Sequence, residues 1–306
     1  MRGGGGVSGQ LPGRPMVTDG GLETDLIFHH GQELPYFAAF PLLDSEKGRS
    51  LLTEYYDGYA AIAERTGTAL MLESATWRAS SDWGHLLGYS DDALARTNRA
   101  AIAMLDGLRD RYRATVPEVV VGGAVGPRGD GYHPDRQLDA DEAAEYHAPQ
   151  IEAFAQAGAD IVTAYTLTGA GEAIGIVRAA RAAGLPVAIS FTVETDGRLP
   201  SGDSLQTAIT MVDEAGGPDY FLVNCAHPAH IKLALADQSA ERIGGVRCNA
   251  STKSHAELDE ATELDEGDLE LLASTHEQLK PLLPNLSIVG GCCGTDARHV
   301  AALWGL

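Results

Sequence analysis

The sequence predicts a single (β/α)8 TIM barrel over residues 16–306. From Met16 onward, short apolar runs alternate with amphipathic stretches of helical period, the pattern of parallel strands joined by crossover helices. Eight such runs can be counted, the number that closes a barrel. Polar clusters follow the runs repeatedly, as a barrel with its working face at the strand C-terminal ends requires.

Residues 1–15 are rich in Gly and Pro with almost no apolar side chains, so they are expected to lack fixed structure and to stand outside the fold. Strands are expected at 16–18, 69–72, 119–122, 160–163, 187–191, 220–223, 245–247 and 286–289. A helix over 51–65 places Leu52, Tyr55, Tyr59 and Ile62 on one face and stops before Gly67, which suits a left-handed cap. The next, over 91–113, begins at the acidic pair Asp91-Asp92 and carries Leu94, Ile102, Leu105 and Leu108 at helical spacing. Further helices are expected over 141–157, with a kink at Pro149, and over 172–183 and 268–283. The acidic stretch 256–268 reads as a long surface loop. No linker of domain-boundary character interrupts the series.

A chain of 306 residues that is 44% hydrophobic can bury a large core. Its formal net charge of -21, from 22 basic and 43 acidic residues, excludes nucleic acid and anionic membrane surfaces as partners, because both need positive counter-charge. Small molecules or proteins remain. No apolar run approaches the roughly 20 residues of a membrane span, and no signal-peptide core follows Arg2, so a soluble, cytoplasmic protein is expected. Oligomeric state is not fixed by these features. Four cysteines are too few for a disulfide scaffold in so long a chain and fit metal binding or catalysis better.

Gly290-Gly291-Cys292-Cys293-Gly294-Thr295 follows the eighth apolar run, and Asn224-Cys225-Ala226-His227-Pro228 the sixth. A barrel would bring both to one rim. Adjacent cysteines seldom bond to each other, but flanking glycines let the chain turn sharply enough for neighbouring sulfurs to meet one ion. Three thiolates from Cys225, Cys292 and Cys293 suit Zn2+ and leave its fourth position open. The alternative is a buried small Cys225 and a tight turn at Cys292-Cys293. Cys248 would close the site and is expected to pack in the core. His227-Pro228 is expected to start a helix, and His29-His30 and the other histidines, which show no ligand spacing, to lie at the surface. Gly122-Gly123 and residues 3–6 lack the context of a phosphate or dinucleotide loop.

Other polar residues after strands are Asp19-Gly20-Gly21, Glu73-Ser74, Gly126-Pro127, Tyr165 and Asn249. Asp19 reads either as a ligand-binding acid or as a cap of the first helix, and Glu73 either as a substrate contact or as a partner of Arg78. An open metal position supports two chemistries. A thiol substrate held there as thiolate could attack the methyl group of a sulfonium, and a water held there could serve a hydrolase.

Thr18-Asp19-Gly20-Gly21, Glu73 to Ser80, Gly122 to Pro127, Asn224-Cys225 and Gly290 to Thr295 together resemble the successive motifs of the homocysteine S-methyltransferase family. The resemblance implies a zinc-dependent barrel in which Cys225, Cys292 and Cys293 bind Zn2+ and homocysteine supplies the fourth ligand. A donor such as S-methylmethionine, S-adenosylmethionine or betaine would be demethylated and methionine formed. It also implies that Asp19 lies near the homocysteine amino group. Their places after strands make Gly20, Glu73, Tyr165 and Asn249 further candidate substrate-binding residues, and Asp19, Glu73 and Tyr165 candidate catalytic residues. Two positions depart from the family. Its fourth strand ends in a glutamate that helps hold the substrate ammonium, and Ala164 is expected at that place here. Either Glu73 or Glu194 compensates, or a thiol other than homocysteine is the acceptor. The segment after the seventh strand is changed to Arg247-Cys248-Asn249-Ala250-Ser251.

Overall fold

The computed structural model describes residues 13–131, 136–235 and 240–306. Eight parallel strands close a barrel in sequence order: β1 Met16–Thr18, β2 Ala69–Glu73, β3 Val119–Val125, β4 Ile161–Leu167, β5 Val187–Phe191, β6 Tyr220–Ala226, β7 Ile243–Cys248 and β8 Ile288–Gly291. The seam is short, since β1 meets β8 through Met16 with Ile288 and Val17 with Val289. The helices of the outer layer are α1 Leu22–Phe28, α2 Glu46–Thr66, α3 Ser81–Leu86, α4 Asp91–Tyr112, α5 Ala140–Ala157, α6 Ala170–Ala182, α7 Leu205–Glu214, α8 Pro228–Ala234, α9 His255–Asp259, α10 Leu269–Glu277 and α11 Ala297–Leu303. Most of the segment expected to be unstructured lies outside the described residues, although Arg14 pairs with Glu118 at 3.1 Å and the Pro15 carbonyl accepts from the Ala69 amide.

Several element ends differ from the expectation, each for a local reason. Helix α2 begins at Glu46 because Ser45 accepts from the Gly48 amide, and Ser90 rather than Asp91 caps α4. Helix α5 runs uninterrupted through Pro149. Helix α10 is shorter than expected, ending at Glu277, with a separate 3-10 turn at Lys280–Leu282 where Pro281 cannot continue the ladder. The acidic stretch is not wholly loop, since Ser254 and Glu257 form a capping box that starts α9.

Strand alternation sorts the barrel into two cores. Val17, Leu70, Val121, Val162, Ile189, Val223 and Val246 point outward and join the helices in the larger core. Met16, Met71, Val120, Ile161, Ala188, Leu222 and Ile288 fill the barrel floor. Above that floor the inward positions become polar: Glu73, Thr163, Tyr165, Ser190, Asn224 and Arg247 are all buried. Gly122 on β3 leaves the space that the Glu73 carboxyl occupies.

The strands that carry this polar layer run further than their apolar runs suggest. β4 and β6 each contain a register shift, between Ala164 and Leu167 and between Asn224 and Ala226. Thr166 and Cys225 sit within these bulges at φ of 63° and 56°, a left-handed conformation uncommon for residues other than glycine. The bulges clasp each other. The Thr166 amide donates to Asn224 Oδ1 at 2.9 Å, and Asn224 Nδ2 donates to Thr166 Oγ1 at 2.9 Å.

Candidate active site

The β6 bulge turns Cys225 inward, and the turn after β8 presents Cys292 and Cys293. The three sulfurs lie within 4.8 Å of one another, with Cys225 and Cys293 at 3.5 Å. Thiolates around a tetrahedral ion stand about 3.8 Å apart, so the donor set fits a thiolate-loving metal with one position left open. Cys225 is buried, while Cys292 and Cys293 are partly exposed to the cleft above them. Hydrogen bonds from Cys225 and Cys293 hold the Cys292 thiol well below its usual value, with help from Arg247 and Asn224. Burial pushes Cys225 up, reinforced by its two neighbours. The Cys225 carbonyl is fixed by Asn249 Nδ2 at 3.0 Å and by His255 Nε2 at 2.6 Å. Cys248 is fully buried in the outer core, as expected.

A narrow cleft opens beside the thiols, lined by Asp19, Gly20, Glu23, Glu73, Tyr165, Asn224, Arg247, Cys292 and Cys293, among others. Asp19 caps no helix. It forms a buried ion pair with Arg247 at 2.8 Å and accepts from Tyr55 at 3.0 Å, while burial pushes its carboxyl up against these contacts. Arg247 also donates to the Gly20 and Gly291 carbonyls and lies 4.7 Å from the centre of the Tyr165 ring. Tyr165 donates to Glu73 Oε1 at 2.9 Å, so Glu73 is not the partner of Arg78. Arg78 instead stacks between Trp77 and Trp83, 4.4 and 3.8 Å from their ring centres.

Burial pushes the Glu73 carboxyl from its ordinary 4.5 up to about 7. The folded protein therefore binds this proton more tightly than the unfolded chain, and Glu73 weakens stability progressively as pH rises from 4.5 toward 7. A Glu73→Gln variant should lose that part of the decline, roughly 3 kcal/mol. Urea unfolding across this range checks it, and parallel pH profiles for the two proteins would refute the assignment.

A second, wider cavity of about 530 Å³ shares Thr24, Phe37, Trp77 and Cys293 with the cleft. Its walls include Phe28, Tyr36 and Trp83, and its rim carries Asp130, Asp259, Glu263 and Asp265. Asn249 lines this cavity rather than the cleft, with a buried Oδ1 that has no hydrogen-bond partner among the described residues.

Several expectations need correction. Ala164 faces the outer core, and the end of β4 presents Tyr165 and Thr166 to the cleft, Tyr165 as the sequence leads one to expect. Glu194 does not compensate for a missing acid, because it pairs with His255 at 2.9 Å and lines neither cavity. The histidines are not uniformly superficial. His147, His227, His255, His276 and His299 are buried, and His227 caps α8 with its own side chain. His29 is exposed but comes within ligating distance of Asp25 and Asp296. Both its nitrogens are engaged, by Asp25 and Glu266 at 2.7 Å each, in what is an ion-pair network. The cleft residues missed include Glu23, Thr166, Asn224 and Arg247. Arg247 had a legible signal, a charge at alternate spacing from Gly245 inside an apolar strand.

Fold and site together define a parallel α/β barrel with a three-thiol centre at the C-terminal mouth. The sequence profile of the homocysteine S-methyltransferase family matches residues 16–304, and the chain belongs to that family. It is 26% identical over 213 residues to homocysteine S-methyltransferase of Escherichia coli strain K12, a match covering 64% of this chain and 66% of that one. It is 24% identical over 177 residues to homocysteine S-methyltransferase YbgG of Bacillus subtilis strain 168, covering 54% and 56%. The matched stretch thus spans about two thirds and just over half of these curated relatives. Crystal structures of the homocysteine methyltransferase MmuM from Escherichia coli share the fold. The oxidized form superposes with a TM-score of 0.74 at 20% identity over 95% of each chain, and the metallated form with 0.69 at 19% over 96% of each.

Proposed function

We propose that this protein is a zinc-dependent S-methyltransferase that moves a methyl group from a cationic onium donor to homocysteine, forming methionine. The observation that carries this is the convergence of the Cys225, Cys292 and Cys293 sulfurs within 4.8 Å where the narrow cleft meets the wider cavity. A metallated form of a structural neighbour supports metal binding in this fold, and a set of three sulfur ligands favours zinc. When bound, zinc would hold the acceptor sulfur as thiolate at neutral pH. The chain's own residues do the rest. Asn249 and His255 hold the strained Cys225 loop in place, and Asn224 steers Cys292 with a 3.7 Å contact to its sulfur. The Arg247–Asp19 pair and the Tyr165–Glu73 bond form the cleft that orients the acceptor.

Aromatic faces and carboxylates around the wider cavity favour a sulfonium or a quaternary ammonium over a neutral donor. Phe37 and Trp77 line the junction between the cleft and the wider cavity. In that displacement the acceptor sulfur forms the new bond to carbon, and the donor departs with its bonding pair as a neutral thioether or amine.

The test is metal analysis of the pure protein beside a matrix of thiols and onium donors, read by mass spectrometry. Stoichiometric zinc and methionine formed from homocysteine with at least one donor are expected. Full activity after the metal is stripped would overturn the reading, as would metal-bearing protein that methylates no thiol.

A further inference from the structure

The cleft beside the thiols holds three carboxyl groups, and they are not equivalent. Both oxygens of Asp19 are engaged, Oδ1 by Arg247 at 2.8 Å and Thr18 at 3.2 Å, and Oδ2 by Tyr55 at 3.0 Å. Glu73 accepts from Tyr165 at 2.9 Å, and its other oxygen is buried against β3 at Gly122. Glu23, on the first turn of α1, lines the same cleft with Cys292 and is only half-buried. Its carboxyl accepts from its own backbone N–H but has no hydrogen bond or ion pair with another residue among the described residues, and burial pushes it up to about 7. The one guanidinium nearby is already matched by Asp19, so Glu23 leaves an uncompensated acid beside the sulfurs.

Charges brought into such a site persist only when paired, so the cleft is built to receive a cation. We propose that Glu23 receives the ammonium group of the acceptor, which makes the acceptor an aminothiol and Glu23 the residue that selects it. This rests on the acceptor binding at the three-thiol centre. It places the selecting charge on the loop after β1 rather than at the end of β4, where Tyr165 has no charge to offer.

The test measures acceptor binding without turnover. Protein loaded with cobalt(II) is titrated with homocysteine and with 4-mercaptobutanoate, the same thiol acid without the ammonium, following the sulfur-to-metal absorption. Wild type should bind homocysteine about 10- to 100-fold more tightly than the analogue. Glu23→Gln should erase most of that difference by weakening homocysteine alone, and Glu23→Asp should restore part of it. Equal affinity of the two thiols for wild type would overturn the proposal, as would equal weakening of both by Glu23→Gln or homocysteine binding that the substitution leaves unchanged. If Glu23→Gln does not fold, by circular dichroism, the comparison in wild type and Glu23→Asp decides. Tight, Glu23-dependent homocysteine binding with no methyl transfer from any donor would sink the methyltransferase reading and leave this assignment standing. A protein that binds neither thiol would refute both.

Discussion

A Cys292→Ser variant is expected to lose tightly bound metal and methyl transfer together while keeping its fold. Cys292 is the thiol most disposed to be a thiolate, because two sulfur donors, Arg247 and Asn224 all favour its charge. A serine hydroxyl has no comparable affinity for a soft-to-borderline ion, and the two remaining sulfurs cannot fill three corners of a tetrahedron. The loss of affinity should exceed the roughly 100-fold that removal of an outer-shell partner costs. Metal content after dialysis against a chelator of graded strength checks it, beside circular dichroism to show retained structure. A variant that retains one metal per chain and wild-type turnover would remove Cys292 from the centre.

Arg247→Met should be the most destabilising single change in the cleft. The guanidinium neutralises buried Asp19 and also donates to the carbonyls of Gly20, after β1, and Gly291, at the end of β8. It therefore reinforces the seam where the barrel closes through only two register pairs. Leaving a buried carboxyl without its partner costs about 3–5 kcal/mol. Combining Arg247→Met with Asp19→Asn should recover part of the loss, since the uncompensated charge is then gone. Urea denaturation of the three variants measures this. A loss below about 1 kcal/mol for Arg247→Met would show that the pair contributes little to holding the barrel shut.

The floor of the barrel was legible in the sequence, and its mouth only in part. Runs such as Val119-Val120-Val121 or Phe221-Leu222-Val223 can only be buried strands, and eight of them in order imply closure. At the mouth the inward residues turn polar while still in strand, so the apolar signal stops before the strand does. The bulges at Thr166 and Cys225 then break the alternation that would have told inward from outward positions. That is why the sequence places Ala164 where the family has its glutamate, although the backbone turns Ala164 into the outer core. The cysteines were readable because thiols in a glycine-flanked pair are chemically distinctive wherever they occur. Glu23 was not, because a charge on an amphipathic stretch of an acidic sequence reads as surface until the fold shows it facing a cleft.

The left-handed backbone at Cys225 has a consequence for which substitutions the position can accept. Glycine would adopt that conformation without strain but brings no sulfur, and serine or alanine would keep the strain and also bring none. The two demands on residue 225, an unusual bend and a specific ligand atom, cannot be met separately by any other common side chain. Descendants of this chain could drift at Trp83 or Asp259 and so acquire new donors. At residue 225 no single-step path leads anywhere but to loss.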